Sequence, residues 1–397
     1  MTSIPHELVA SIVDELQHDR GSLKSCSTVS SSFCPPSQRH LFRSMWLHRE
    51  NWKHYTPTQR ALQAGNSVPS GTIKGAFNLL SESPHLAAYV RDLTVDLPDS
   101  ADEDAPLEHI LRTAANLERF VVFGLAARWM EIPPVLESAL LDVFARPTLN
   151  GLHFLHLHGI PTRVIHRALT SLKVLSFYNT SAAPDQYDEP ASQASPASVE
   201  ELILCRNMST THMRIVSANA PPLAQLRRLF LWSGVDNLAN RLLTLSAETL
   251  EHIEIDCGAL ESPLNLPALI SVKKIQTVKL HISCGLARWL PPGFARTIAD
   301  LGSVQPPTLH LVFSVQDGIS SDEWILEGPI LHEEEGESLK TTTIHCQFAF
   351  LDPPHKVSDR KGLFESFCAG MRAALPGLKL EFERVDRRIS YVGRLPL

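Results

Sequence analysis

Three histidines, His153, His156 and His158, are the densest run of potential ligating side chains in the sequence. On a strand His156 and His158 would share one face, because strand side chains alternate, so a metal site is geometrically conceivable. No nearby stretch supplies a clear third ligand, and neither a metal nor another cofactor is expected. The seven cysteines (Cys26, Cys34, Cys205, Cys257, Cys284, Cys346, Cys368) are scattered and never form a C-x-x-C pair. They read as small buried hydrophobes rather than a disulfide framework or a zinc ribbon. The sequence has no G-x-S-x-G nucleophile elbow, no G-x-x-x-x-G-K-[ST] phosphate loop and no H-E-x-x-H zinc helix. Recognition, not catalysis, is the expectation.

The bulk composition narrows the partner. With 44% hydrophobic and 20% charged residues, the chain has the make-up of a folded protein. Its formal net charge of -7 disfavours a general nucleic-acid binder, which needs a basic stripe to displace phosphate counterions. The opening MTSIPHELVA lacks the basic and apolar regions of a secretory signal. The most apolar short run, Phe120 to Ala127, falls far below the roughly 20 residues that span a bilayer. These features predict an intracellular protein, cytoplasmic or nuclear, with no membrane or nucleic-acid partner.

What must position any binding side chains is a repeat. The pattern apolar-x-x-apolar-x-apolar starts at Val90, Leu117, Leu152, Leu172, Val199, Leu226, Leu250 and Ile275, and most intervals lie near 25 residues. Leucine-rich repeats have periods of roughly 20–29 residues. Helical stretches follow most of the strands: Pro106 to Ala115, Pro133 to Ala145, Pro161 to Thr170, Ser209 to Asn219 and Val235 to Ser246. Proline suits a helix start because its missing N–H would be unpaired there. Later strands are expected at Leu309–Val315, Thr343–Phe350 and Leu378–Val385, with a helix over Asp359 to Leu375. Three stretches read as solvated insertions: Ser181 to Ser198, Leu97 to Pro106 and His332 to Glu337. A strand-plus-helix unit cannot bury its apolar face alone, so the units must stack. The expected fold is α/β, an irregular leucine-rich-repeat-like solenoid with parallel strands on its concave face.

The first residues differ from this. Leu8, Ile12 and Leu16, with Val9 and Val13 beside them, fall at helical spacing until Asp19 and Gly21 intervene. Leu23, Cys26 and Val29 form a second stripe, which Pro35 and Pro36 end, and a third segment runs Ser37 to Arg43. Three elements here, the opening Ile4-Pro5-His6-Glu7-Leu8-Val9-Ala10-Ser11-Ile12, the L-x-x-C-x-x-V-S-x-x-F run from Leu23 to Phe33 and the closing His40-Leu41-Phe42-Arg43, resemble the F-box, especially its fungal members. Phe33 is followed by Cys34, Pro35 and Pro36, where many members carry tryptophan and a longer helix. The resemblance implies docking onto the Skp-type adaptor of a cullin–RING (SCF-type) ubiquitin ligase, with Pro5, Glu7, Leu8 and Ile12 facing the adaptor. The expected domains are an F-box-like module at 1–48, a helical linker or cap at 49–89, and the repeat region at 90–397 with an insertion at 181–198. The alternatives are that residues 4–47 merely cap the repeats of a scaffold unconnected with ubiquitin, or that the chain is an enzyme on an unfamiliar fold.

Between the inward leucines, the outward strand positions would meet a protein substrate. Aromatic residues and arginine dominate binding hot spots, which marks Phe154, Tyr178, Arg228, Phe230 and Trp232. Exposed, they form a capture surface; covered by the insertion or the C-terminal units, they are core.

Overall fold

A computed structural model describes residues 4–49, 70–98, 101–124, 127–183, 199–205, 223–232, 236–256, 271–284, 306–315, 342–350, 360–375 and 377–385, with single positions 269, 298, 301 and 339 besides. The chain is α/β and falls into two compact units, the described residues up to 183 forming the first and those from 199 the second. The helical stretch Ser209 to Asn219 and the acidic stretch His332 to Glu337 lie outside the described residues, as does most of the insertion at 181–198.

The first unit opens with α1 (His6–Glu15), α2 (Arg20–Val29) and α3 (Cys34–Leu41). Asp19 caps α2, its carboxylate accepting from the Ser22 N–H at 3.1 Å, which satisfies one of the first-turn donors. Pro35 and Pro36 do not merely stop α2; they occupy the first turn of α3, where no intrahelical N–H is required. Val13, Leu23 and Leu41 form a small core, flanked by Leu16, Phe33 and Phe42. His40 Nε2 meets the Asp14 carboxylate at 2.6 Å and ties α3 to α1.

The sheet of this unit begins earlier than the repeat pattern predicts. Its strands are β1 (Ser44–His48), β2 (Ser70–Thr72), β3 (Asp92–Asp96), β4 (Arg119–Phe123), β5 (Gly151–Leu155) and β6 (Val174–Tyr178). All are parallel, in the order β2-β1-β3-β4-β5-β6. Interleaved with them are α4 (Ile73–Glu82), α5 (Ala101–Thr113), α6 (Pro134–Phe144) and α7 (Thr162–Ser171). Leu97 to Pro106 is not the solvated loop expected from its charge. Its residues from Ala101 on open α5, which therefore starts before Pro106. Asp102, Glu103 and Asp104 sit in its first turn, where the helix dipole favours negative charge.

The second unit carries β7 (Glu201–Cys205), β8 (Arg228–Trp232), β9 (His252–Asp256), β10 (Thr277–Cys284), β11 (Thr308–Val315), β12 (Thr343–Phe350) and β13 (Leu380–Val385), parallel and in sequence order. Its described helices are α8 (Asp236–Leu245) and α9 (Arg360–Ala374). Phe367 of α9 packs on Phe313 and Phe348 with ring centroids 4.9 and 4.7 Å apart.

Register corrects one repeat. Phe120 pairs with Leu152, and Leu152 with Leu175; Val122 pairs with Phe154, and Phe154 with Phe177. The third repeat is therefore Leu149-x-x-Leu152-x-Phe154, and its start at Leu152 is three residues late. All three residues are buried. The sequence offers a leucine at both phases, so only strand pairing decides between them. The pattern also recurs once earlier, at Phe42, Met45 and Leu47, with Met45 opposite Leu93 and Leu47 opposite Val95.

Candidate functional site

On α1 the two sides of the helix are used differently. Val9 and Val13 are buried, while Ile4, Leu8 and Ile12 are 55, 56 and 48% exposed. Residues four apart lie on one helical stripe, so Leu8 and Ile12 share an apolar strip facing solvent, and exposed Ile4 precedes the helix. Pro5, with β-region ψ, precedes the first helical residue, and the backbone C=O of Pro5 accepts from the N–H groups of Leu8 and Val9. Glu7 sits exposed in the first turn, favourably placed for the helix dipole. The four positions implied by the F-box resemblance are each exposed.

The outward sheet face, turned away from the helices, is read directly from register, and in the first unit Trp46, Asp96, Val121, Phe123, His153, Leu155 and Ser176 on it are all buried. In the first unit one row holds Ser44, Asp92, Arg119, Gly151 and Val174; the next holds Trp46, Thr94, Val121, His153 and Ser176; the third holds Asp96, Phe123, Leu155 and Tyr178. Phe154 is not among them. It points the other way, fully buried, its ring stacked on Phe177 at 5.5 Å and edge-on to Phe144 of α6 at 5.8 Å. Its expected substrate contact is withdrawn, because the shifted frame had turned the core face outward. Tyr178 is half-buried at the end of β6, its ring 5.2 Å from that of His156.

The histidine trio separates as well. His153 is on the outward face, β5 ends at Leu155, and His156 has φ 51°. That left-handed residue breaks the alternation, so His156 and His158 share no strand face. His156 Nδ1 is 2.9 Å from the amide of Asn179, itself at φ 48°, and His158 Nδ1 is 3.2 Å from Ser181 Oγ. Among the described residues no group of three histidine, cysteine or acidic side chains could hold a metal. The Cys346 thiol is pushed up to about 12 by burial, with the neighbouring Cys368 adding to it, which leaves no reactive thiolate there.

In the second unit Arg228 is 58% exposed and paired with Glu201 at 2.8 Å, and Phe230 is half-buried on the same strand. Trp232 ends β8, and its side chain lies outside what the structure describes. A polar row crosses five strands as Glu254, Lys279, His310, His345 and Glu381. His310 and His345 stack at 4.8 Å, and His345 Nδ1 lies 2.9 Å from the Glu381 carboxylate. Burial, with His345 and Lys279 adding to it, lowers the pKa of His310 below the usual histidine value.

Sequence reasoning weighed His153 only as a metal ligand and left it off this sheet face, a consequence of the same frame error, and did not single out Asp96 and Ser176. All three are enclosed on the outward face of the first unit. Asp96 Oδ1 accepts from the Trp46 indole at 3.3 Å. Burial drives its carboxyl up to about 7 against the lowering effect of that bond. Burial, aided by the charge of Arg119, drives His153 down to about 3.

No known protein-family model matches this chain, and no curated protein sequence matches it either. Among the described residues, no helix is long and apolar enough to cross a membrane.

Proposed function

We propose that this chain is the substrate-recognition subunit of an SCF-type (cullin–RING) ubiquitin ligase. In this role α1 to α3 act as an F-box-like module that binds a Skp-type adaptor, and the strands form the inner face of a leucine-rich-repeat-like solenoid that holds a protein substrate. The chain performs no chemistry itself; transfer belongs to the other subunits. One observation carries the proposal: α1 satisfies its own core with Val9 and Val13 yet leaves Ile4, Leu8 and Ile12 in water. A helix that only capped the sheet would have no use for an exposed apolar strip. A docking helix does, since burying each such side chain contributes roughly 1.5–3 kcal/mol.

Co-purification with a Skp-type adaptor tests this, comparing the intact chain with a Leu8→Asp, Ile12→Asp double variant. Both positions are solvent-exposed, so the variant keeps its fold, which far-UV circular dichroism verifies. Adaptor held by the intact chain and lost from the folded variant is the expected result, because each charge would be buried unpaired. If the intact chain does not hold the adaptor, the protein is a repeat scaffold unconnected with ubiquitin.

A further inference from the structure

In the second unit the outward sheet face is open to solvent along one row. The side chains of Lys279, His345 and Glu381 are 26, 35 and 48% exposed, and His310 among them is half-buried. Register places Glu254, Lys279, His310, His345 and Glu381 on five adjacent strands, β9 to β13, at steps of about 4.8 Å. Acids stand at both ends and basic groups in the middle. The acids are engaged. A Glu254 carboxylate oxygen lies 2.5 Å from His281 Nε2, and one of Glu381 lies 2.9 Å from His345 Nδ1. The centre of the row is not. The Lys279 ammonium comes no nearer than 4.0 Å to that Glu254 oxygen. His310 stacks on His345, with 16° between the rings, and makes no hydrogen bond among the described residues.

Burial lowers the pKa of both Lys279 and His310, and for His310 the charges of His345 and Lys279 add to it. Both are basic groups drawn partly out of water with no anion set close against them. An ammonium brought to the centre would meet groups of its own sign, and an apolar side chain would desolvate Lys279 further without compensation. A carboxylate would find Lys279 one strand to one side of His310 and His345 one strand to the other. We propose that this row takes an acidic side chain of an extended protein segment, its carboxylate seated over His310 between Lys279 and His345. Glu254 and Glu381, about 19 Å apart at the strand spacing, repel further acids and favour basic residues flanking the central one. The flanking strands also present His281 from β10 and Gln347 from β12 to this face. Proton uptake falls on His310, because His281 is buried against Glu254 and His345 already faces Glu381. The bound carboxylate favours the imidazolium, so binding strengthens as pH falls. This inference rests on the strand face being the substrate surface, and it names the chemistry that surface accepts.

The test uses the full chain carrying 15N-labelled histidine, with His310 signals assigned through a His310→Gln variant. The probe is a blocked pentapeptide, lysine-glycine-glutamate-glycine-lysine, at millimolar concentration. One control carries glutamine at the centre, and a second has the charges reversed, with glutamate at both ends and lysine between. The expected result is a saturable change in the His310 imidazole signals with the first peptide alone. Its dissociation constant should fall roughly threefold between pH 7.5 and 6, a range in which the glutamate stays ionised. Lys279→Gln, checked for fold by far-UV circular dichroism, should weaken binding roughly fivefold, the upper range for a solvent-facing ion pair. A His310 signal indifferent to the peptide, an equal response to the glutamine control, or an affinity flat across that pH range each overturns the proposal, and all three are read on the unaltered chain. Adaptor co-purification is independent of these readouts: adaptor held while the peptide fails removes only this site, and the reverse removes only the ligase assignment.

Discussion

Asp96 and His153 lie two strands apart on one sheet face, and burial drives both toward their neutral forms in opposite pH directions. The folded-state value for Asp96, about 7, is above its ordinary 3.8, so the folded chain holds that proton more tightly. Its contribution to stability is full below about pH 4 and is lost as pH rises through 7. His153 is depressed to about 3 from 6.5, so the unfolded chain holds that proton more tightly. Its contribution is full above about pH 6.5 and is lost as pH falls toward 3. Between about pH 4 and 6.5 the two slopes, each about 1.4 kcal/mol per pH unit, oppose each other. Asp96→Asn should therefore produce a chain that weakens on acidification through that window, and His153→Phe one that weakens as pH rises. Urea midpoints across the window measure both, and parallel slopes in the two variants would sink the assignment.

At the scale of elements, β5 shows what strand pairing adds to a hydrophobic pattern. Leu149, Leu152, Leu155 and Leu157 satisfy the apolar spacing in two frames, and the sequence alone prefers neither. Pairing with β4 and β6 selects the frame that sends Phe154 toward α6 and leaves His153 outward. Phe154→Ala should consequently cost about 3–5 kcal/mol of stability, read as a lowered urea midpoint, rather than act as a surface truncation. An unchanged midpoint would return Phe154 to the outward face. Other elements were legible for identifiable reasons. Proline followed by an amphipathic run marks α6 and α7, while Val9 and Val13 beside Leu8 and Ile12 mark a helix with two apolar sides. The start of α5 was hidden because its acidic first turn looks like a solvated loop, and β1 because it follows α3 almost at once. That the ring nitrogens of His153 and the hydroxyl of Ser176 have no hydrogen-bond partner among the described residues could not be read at all, since a missing bond is a property of packing and leaves no mark in composition.

Over the whole molecule, the alternation of strand and helix predicted the α/β class and the parallel pairing, because a short chain return between parallel strands requires a crossover. The division into two compact units was not visible in the repeat period, which continues from one to the other. Each unit has its own core, so a lesson about one is tested within it. In the second, Phe367 is 1% exposed and touches Phe313, Phe348 and Phe382. Phe367→Ala should lower the stability of that unit by about 3–5 kcal/mol, seen as early loss of its cooperative urea transition, while the adaptor remains held through α1. Adaptor lost together with that transition would place the docking module under the control of the second unit. The in-register rows have a further consequence for how such a chain can change. Inward residues on each strand answer only to the core, and every second residue answers only to what lies on the other face. The outward triplet of a strand, such as Gly151, His153 and Leu155 on β5, is therefore a transferable unit. Moved to a neighbouring strand it would shift the location of its chemistry by a fixed step of about 4.8 Å, as type is reset in a line without recasting the press.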